Sequence, residues 1–279
     1  MVRALVIMWW LSELRFSGGT RTVKRLNMTV LALLVALTLA ACSTPERSPT
    51  TAASTASATT PSEPSPTPTA RDIWEIEGLA PLDPGTYFFD PDLDPSTPLR
   101  VVYEIPADGW SQWIGAVKFN DVGHVGVSIT TVVNLVGDGC LDHSWADPPV
   151  GSSVNDLAVA LANLAPFGVT SPPTDVTIYG YRGKHLELTV PDLPVEGEGD
   201  ALRFTGCTGG QLKGWVAPMD ADVEGDAYYG YTGPGYSEEF WILDVEGTRL
   251  MIVAERSPGS PPGDLAEQSA VLDSIRIEP

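Results

Sequence analysis

The sequence predicts an α+β domain built mainly on antiparallel sheet, carried behind a secretory leader and a disordered linker. Three observations lead there. Apolar runs of strand length follow one another between turn residues from residue 85 onward. Only two stretches, near residues 153–164 and 264–272, repeat their apolar side chains at helical spacing. Residues 43–70 carry no aromatic side chain and no aliphatic one larger than alanine, so nothing there offsets the entropy of ordering a backbone.

The leader occupies residues 1–41. Arg21, Lys24 and Arg25 form a positive segment, the run from Val30 to Leu39 is apolar, and Ala40-Ala41 supply small residues for cleavage. The run is too short to cross a hydrocarbon core about 30 Å thick, which takes roughly 20 residues. A translation start at Val23 would leave the short basic region such leaders usually have. Residues 42–72, rich in Ser, Thr, Pro and Ala, read as a linker.

The single globular domain is expected over residues 73–279, about 205 residues, enough for a sizeable core. Strands are expected at Gly85–Phe89, Leu99–Ile105, Trp113–Phe119 and Val125–Leu135. Ser153 with Asp156 reads as a capping box. It opens a helix through Val154, Leu157, Ala158, Leu161 and Leu164 that stops before Pro166. Strands then return at Asp175–Tyr181 and Lys184–Val190, with Arg182-Gly183 as the expected turn. Residues 195–235 are Gly-rich and acidic, with weak strands near Leu202 and Trp215. Phe240–Val245 and Arg249–Ala254 flank Glu246-Gly247 as a hairpin, and a short helix over Asp264–Leu272 and a strand over Ser274–Ile277 close the chain.

Charge narrows the partners. The chain carries a formal charge of −20. Residues 1–70 hold six of its 16 basic and three of its 36 acidic residues, so residues 71–279 carry 10 against 33, a net of −23. That field opposes nucleic acid and anionic lipid headgroups. Catalytic signatures are missing: no GxSxG elbow, no HExxH and no phosphate-gripping Gly-rich loop occurs. No cofactor is implied. The sequence Asp220-Ala221-Asp222-Val223-Glu224-Gly225-Asp226 has the opening of a calcium loop, with Asp220, Asp222, Glu224 and Asp226 as weak candidate ligands. Tyr231, however, stands where the bidentate glutamate belongs. Trp110, Trp113, Trp145, Trp215 and Trp241 are candidates for a groove taking sugars or an acyl chain, with Trp110 and Trp241 assigned instead to the core.

Leu39-Ala40-Ala41-Cys42 resembles the lipobox of bacterial lipoproteins. The resemblance implies cleavage before Cys42, acylation of its thiol and anchoring on the extracytoplasmic face of the cell membrane. Outside the membrane, two thiols in one domain are usually paired, so Cys140 and Cys207 are expected as a disulfide. The alternative is a metal site with His143, which lacks a CxxC pair. Ile105-Pro106-Ala107-Asp108-Gly109-Trp110, the Asp244–Gly247 hairpin and the closing helix and strand resemble the arrangement of PsbP-like domains and of actinobacterial LpqN-type lipoproteins. These motifs are structural and carry no catalytic residue across. The resulting expectation is a tethered, non-enzymatic envelope protein that binds a partner protein or an amphiphile. The alternatives are a carboxylate-based, glycosidase-like envelope hydrolase and a passive surface or assembly protein.

Overall fold

A computed structural model describes residues 69–94, 96–218 and 229–279. The expected leader, Cys42, most of the expected linker and the calcium-loop candidates Asp220, Asp222, Glu224 and Asp226 lie outside the described residues. Among the described residues the architecture is α+β, mainly antiparallel sheet with two α-helices. No helix among them is long and apolar enough to cross a membrane.

Pairing starts at β1 (Arg71–Asp72), two residues ahead of the expected domain boundary. Arg71 is held there by Tyr87 Oη and by the Asp83 carbonyl oxygen, 3.2 Å away. Then come β2 (Pro81–Leu82), β3 (Gly85–Phe89) and β4 (Arg100–Ile105). The strand expected at Trp113–Phe119 is two strands, β5 (Trp110–Trp113) and β6 (Gly115–Asn120), which fold back on each other at Ile114. The run expected at Val125–Leu135 is likewise divided into β7 (Gly123–Thr131) and β8 (Asn134–Asp138). Val133 N–H there leaves the larger sheet and donates to Val216 O at 2.9 Å. A continuous β-branched run conceals such breaks, because each half satisfies the same pattern.

After β9 (Asp142–Trp145), helix α1 (Val154–Ala162) opens on the expected capping box. Asp156 N–H donates to Ser153 Oγ, and Ser153 N–H returns a bond to the Asp156 carboxylate, both at 3.1 Å. Next are β10 (Gly168–Ile178) and β11 (Tyr181–Thr189). Their turn is Tyr179-Gly180, not Arg182-Gly183. Tyr179 and Gly180 have φ of 52° and 88°, the paired positive values of a two-residue hairpin loop. Gly183 sits within β11, where a Cβ would collide with the carbonyl oxygen of Ile242. Its glycine serves a close strand approach rather than a bend.

The irregular region holds β12 (Val195–Glu196), β13 (Arg203–Phe204) and β14 (Trp215–Val216). The hairpin of β15 (Ser237–Val245) and β16 (Thr248–Arg256) turns at Glu246-Gly247 as expected. Helix α2 (Pro262–Asp273) and β17 (Arg276–Glu278) complete the chain.

Eight strands form the central sheet in the order β10-β11-β15-β16-β7-β6-β5-β2. A second sheet, β1-β3-β4-β17, has four strands, and β14-β8-β9 form a third. Alternation along the strands assigns the coverings of the central sheet. Arg249 shares a face with Met251 and Val253 and donates to Ser153 O and Gly151 O, so α1 lies on that face. Lys118 and Trp110 point to the other face and meet Glu267 of α2, at 2.7 and 3.0 Å. Helix α2 crosses that face obliquely: its first turns meet Lys118 and Asn120 of β6, while the Leu272 carbonyl at its far end accepts from Tyr179 Oη at 3.0 Å. Val127, Ile129, Ile252 and Ala254 lie buried on this face. A triangle over β10, β11 and β15 is left half-exposed.

Candidate functional site

Two clusters of chemistry-bearing side chains occupy opposite faces of β15 and β16. The first is a buried pair of glutamates. Glu238 and Glu255 are directly opposite each other in the β15–β16 register, and each is 1 % exposed. Gly126, opposite Glu255 on β7, leaves the space this carboxylate occupies; a Cβ there would stand 3.2 Å from Glu255 Oε2.

Hydroxyls surround the pair. Glu255 accepts from Ser128 Oγ, Tyr229 Oη and Tyr236 Oη, the last at 3.2 Å. Glu238 Oε2 accepts from Tyr231 Oη at 2.6 Å. Tyr229 and Tyr236 share a hydrogen bond of 2.8 Å, and His124 Nε2 reaches Tyr236 Oη at 2.9 Å. The Trp215 ring stacks on Tyr229 with centroids 4.6 Å apart. Trp215 Nε1 and Glu238 Oε1 complete no hydrogen bond of good geometry, although the indole is among the groups that lower the Glu238 pKa.

Among the described residues, the only basic group within 4 Å of either carboxylate is His124, whose Nε2 is 3.9 Å from Glu255. Burial, then the charge on Glu255, pushes the Glu238 pKa well above the carboxylate range. Burial also raises Glu255, against the pull of Ser128, Tyr229 and Tyr236. The same desolvation raises Tyr229, Tyr231 and Tyr236 and lowers His124. Three hydroxyl donors favour charge on Glu255, while at Glu238 burial and the Glu255 charge outweigh the pull of Tyr231 and Trp215 and favour the protonated form. Among the described residues the pair is packed against Tyr229, Tyr231 and Tyr236, and at 1 % exposure neither carboxyl is open to a substrate.

The second cluster lies in the half-exposed triangle beside α2. Register sets His185 opposite Trp241, Glu187 opposite Glu239 and Ser237 opposite Arg256. Arg256 bonds Glu187 at 2.5 Å and stands 3.7 Å from Glu239. His185 Nε2 meets Glu239 Oε1 at 2.8 Å, and its ring centroid lies 5.4 Å from that of Trp241. These four polar side chains remain 24–34 % exposed. At the Arg256 end the strip runs into a cleft of about 280 Å³ lined by Ser237, Ser257, Ser260, Pro258 and Leu265. At the other end stands Tyr179, whose phenol is pushed up to about 12 by burial and by the negative charges of Asp273 and Glu239.

The residues singled out in the sequence are dispersed. Cys140 and Cys207 form a disulfide, with sulfurs 2.11 Å and Cα atoms 4.5 Å apart. His143 Nε2 turns instead to the Gly139 carbonyl at 3.0 Å. No group of three or more metal-ligating side chains occurs among the described residues. The five tryptophans are dispersed: Trp110 and Trp215 are fully buried, Trp113 is 40 % exposed, and Trp241 is half-buried, packed against the core at its edge beside the polar strip.

Neither glutamate of the buried pair was legible as a site. The apolar runs from Phe240 and to Ala254 stop one or two residues short of Glu238 and Glu255, so both carboxylates read as polar strand ends. A signal existed in the alternation: Glu238 continues the face of Phe240 and Ile242, and Glu255 that of Met251 and Val253. The chain matches no protein-family model, and no curated protein or solved structure is significantly similar to it.

Proposed function

We propose that this chain is a lipid-anchored protein of the cell envelope, with a PsbP-like domain that acts by binding rather than by catalysis. Its binding site is the strip of His185, Glu187, Glu239, Trp241 and Arg256. The observation that carries this reading is that these side chains, half-exposed on a rigid sheet, are already fixed by mutual bonds. Groups held in place before a ligand arrives lose little rotamer freedom on binding. Anchoring rests on the lipobox-like Leu39–Cys42 alone. The PsbP-like architecture is supported by the central antiparallel sheet and by the β15–β16 hairpin leading through α2 into a closing strand.

A glycosidase reading has less support. It needs two carboxylates flanking the scissile bond, one of them free to hold a proton. Glu238 and Glu255 are sealed in the core, and the exposed pair Glu187 and Glu239 has oxygens committed to Arg256 and His185.

The reading is tested by capture from native membranes, followed by mass spectrometry of lipids, glycans and proteins. The full chain should fractionate with membranes and Cys42→Ser should not; unchanged membrane attachment of a mature-length Cys42→Ser variant refutes the anchor. A component captured by the wild type should be lost from Glu239→Arg, which sets two guanidinium groups against each other in the strip. Identical captures by the two proteins would refute the strip as the site.

A further inference from the structure

The strip beside α2 also shows which kind of ligand it fits. This step rests on the reading of the strip as the binding site. We infer that it binds a short linear saccharide, with the Trp241 ring against a pyranose face, the side chains of Glu187, Glu239, His185 and Arg256 bonding its hydroxyls, and an end ring in the cleft beside Arg256.

Several observations converge on that class. The strip is polar but not of one sign: two carboxylates share one guanidinium and one imidazole, so a strongly charged ligand of either sign meets repulsion. The fixed acceptors of Glu187 and Glu239 and the fixed donors of Arg256 lie within one patch. Neutral hydroxyls, each both donor and acceptor, suit such a surface. Trp241 adds an aromatic ring beside these polar groups, where a ligand with an apolar C–H face and polar rim can use both.

The cleft agrees in size and lining. Its volume of about 280 Å³ lies just below the roughly 300 Å³ at which sites for drug-sized ligands begin, room for one ring and no more. Ser237, Ser257 and Ser260 line it together with Arg256, although Ser257 Oγ already accepts from His124 N–H and Ser260 Oγ donates to Ser257 O, so its polar wall is Arg256 with Ser237. An acyl chain would need a deep apolar tunnel, and the cleft at the end of the strip, lined by serines and Arg256, is not one. Nucleic acid is disfavoured by the net charge of −23 on residues 71–279.

The test uses the full chain in detergent, titrated with chitotetraose, maltotetraose and an alpha-linked mannotetraose by calorimetry and tryptophan fluorescence. One of the three should bind with a Kd of about 1 mM or tighter. Trp241→Ala and Glu239→Gln should each weaken it about tenfold, while Trp113→Ala, at the exposed end of β5 outside the strip, should leave it unchanged. Melting curves accompany each variant; if Trp241→Ala unfolds, Glu239→Gln alone decides. Absence of binding by all three saccharides, or binding insensitive to Glu239→Gln, overturns the saccharide assignment. If that occurs while Glu239→Arg still loses a captured envelope component, the strip stands as a site for another class of ligand. If both fail, the strip is not a site.

Discussion

Replacing Glu238 by glutamine should remove a pH dependence that the buried glutamate pair imposes on folding. In the native domain the Glu238 pKa is raised, first by burial and then by Glu255. An unfolded chain ionises this group in the ordinary glutamate range, near about 4.3. Below that value both states hold the proton and the pair costs nothing. Above it the unfolded chain releases a proton that the folded domain retains, so stability falls as pH rises toward the folded-state pKa. The slope is about 1.4 kcal/mol per pH unit for each retained proton. Between about pH 5 and pH 7 the loss is therefore at most about 3 kcal/mol, or roughly 6 to 12 °C in melting temperature for a domain of this size.

A glutamine keeps an acceptor for Tyr231 and cannot ionise. The assay is chemical denaturation of wild type and Glu238→Gln at several pH values across that window. The difference between the two proteins matters, because the general acidity of the domain acts on both alike. Glu238→Gln should gain on the wild type steadily as pH rises. Parallel curves would mean that Glu238 is ionised in the native state, and the argument from burial and Glu255 would fail.

Other expectations concern particular contacts. Cys207→Ser should cost roughly 4 kcal/mol, from the chain entropy of opening a loop of 67 residues, read as a lower melting temperature that reductant no longer changes. An undiminished melting temperature would show that the crosslink constrains little. Gly183→Ala should destabilise by about 1–3 kcal/mol, because the added methyl meets the Ile242 carbonyl of the neighbouring strand. Gly180→Ala, in the turn, meets no neighbouring atom and is strained only by its φ of 88°, so it should show the smaller loss. Gln268→Leu should loosen α2 by about 1–3 kcal/mol, since Gln268 Nε2 donates to both Gly126 O and Glu255 O at 2.7 Å. Amide exchange in α2 measures it, and unchanged protection there would count against this bond as the helix's pin.

The elements read correctly from the sequence depend on neighbours close along the chain. The capping box of Ser153 and Asp156, the strand Gly85–Phe89 and the Glu246-Gly247 turn each follow from residues a few positions apart, whose dihedral preferences and periodicity are local. Cross-strand register is not local. It made Gly183 a place where two strands nearly touch and moved the turn to Tyr179-Gly180. It set Glu238 against Glu255 inside the core and Glu187 against Glu239 outside it, from residues more than 15 and more than 50 positions apart. Nothing in the composition separates the four glutamates. Tertiary structure alone decided which two lost their water and which two kept it, because a residue's face is chosen by its strand's parity and what covers that face is chosen by the rest of the fold.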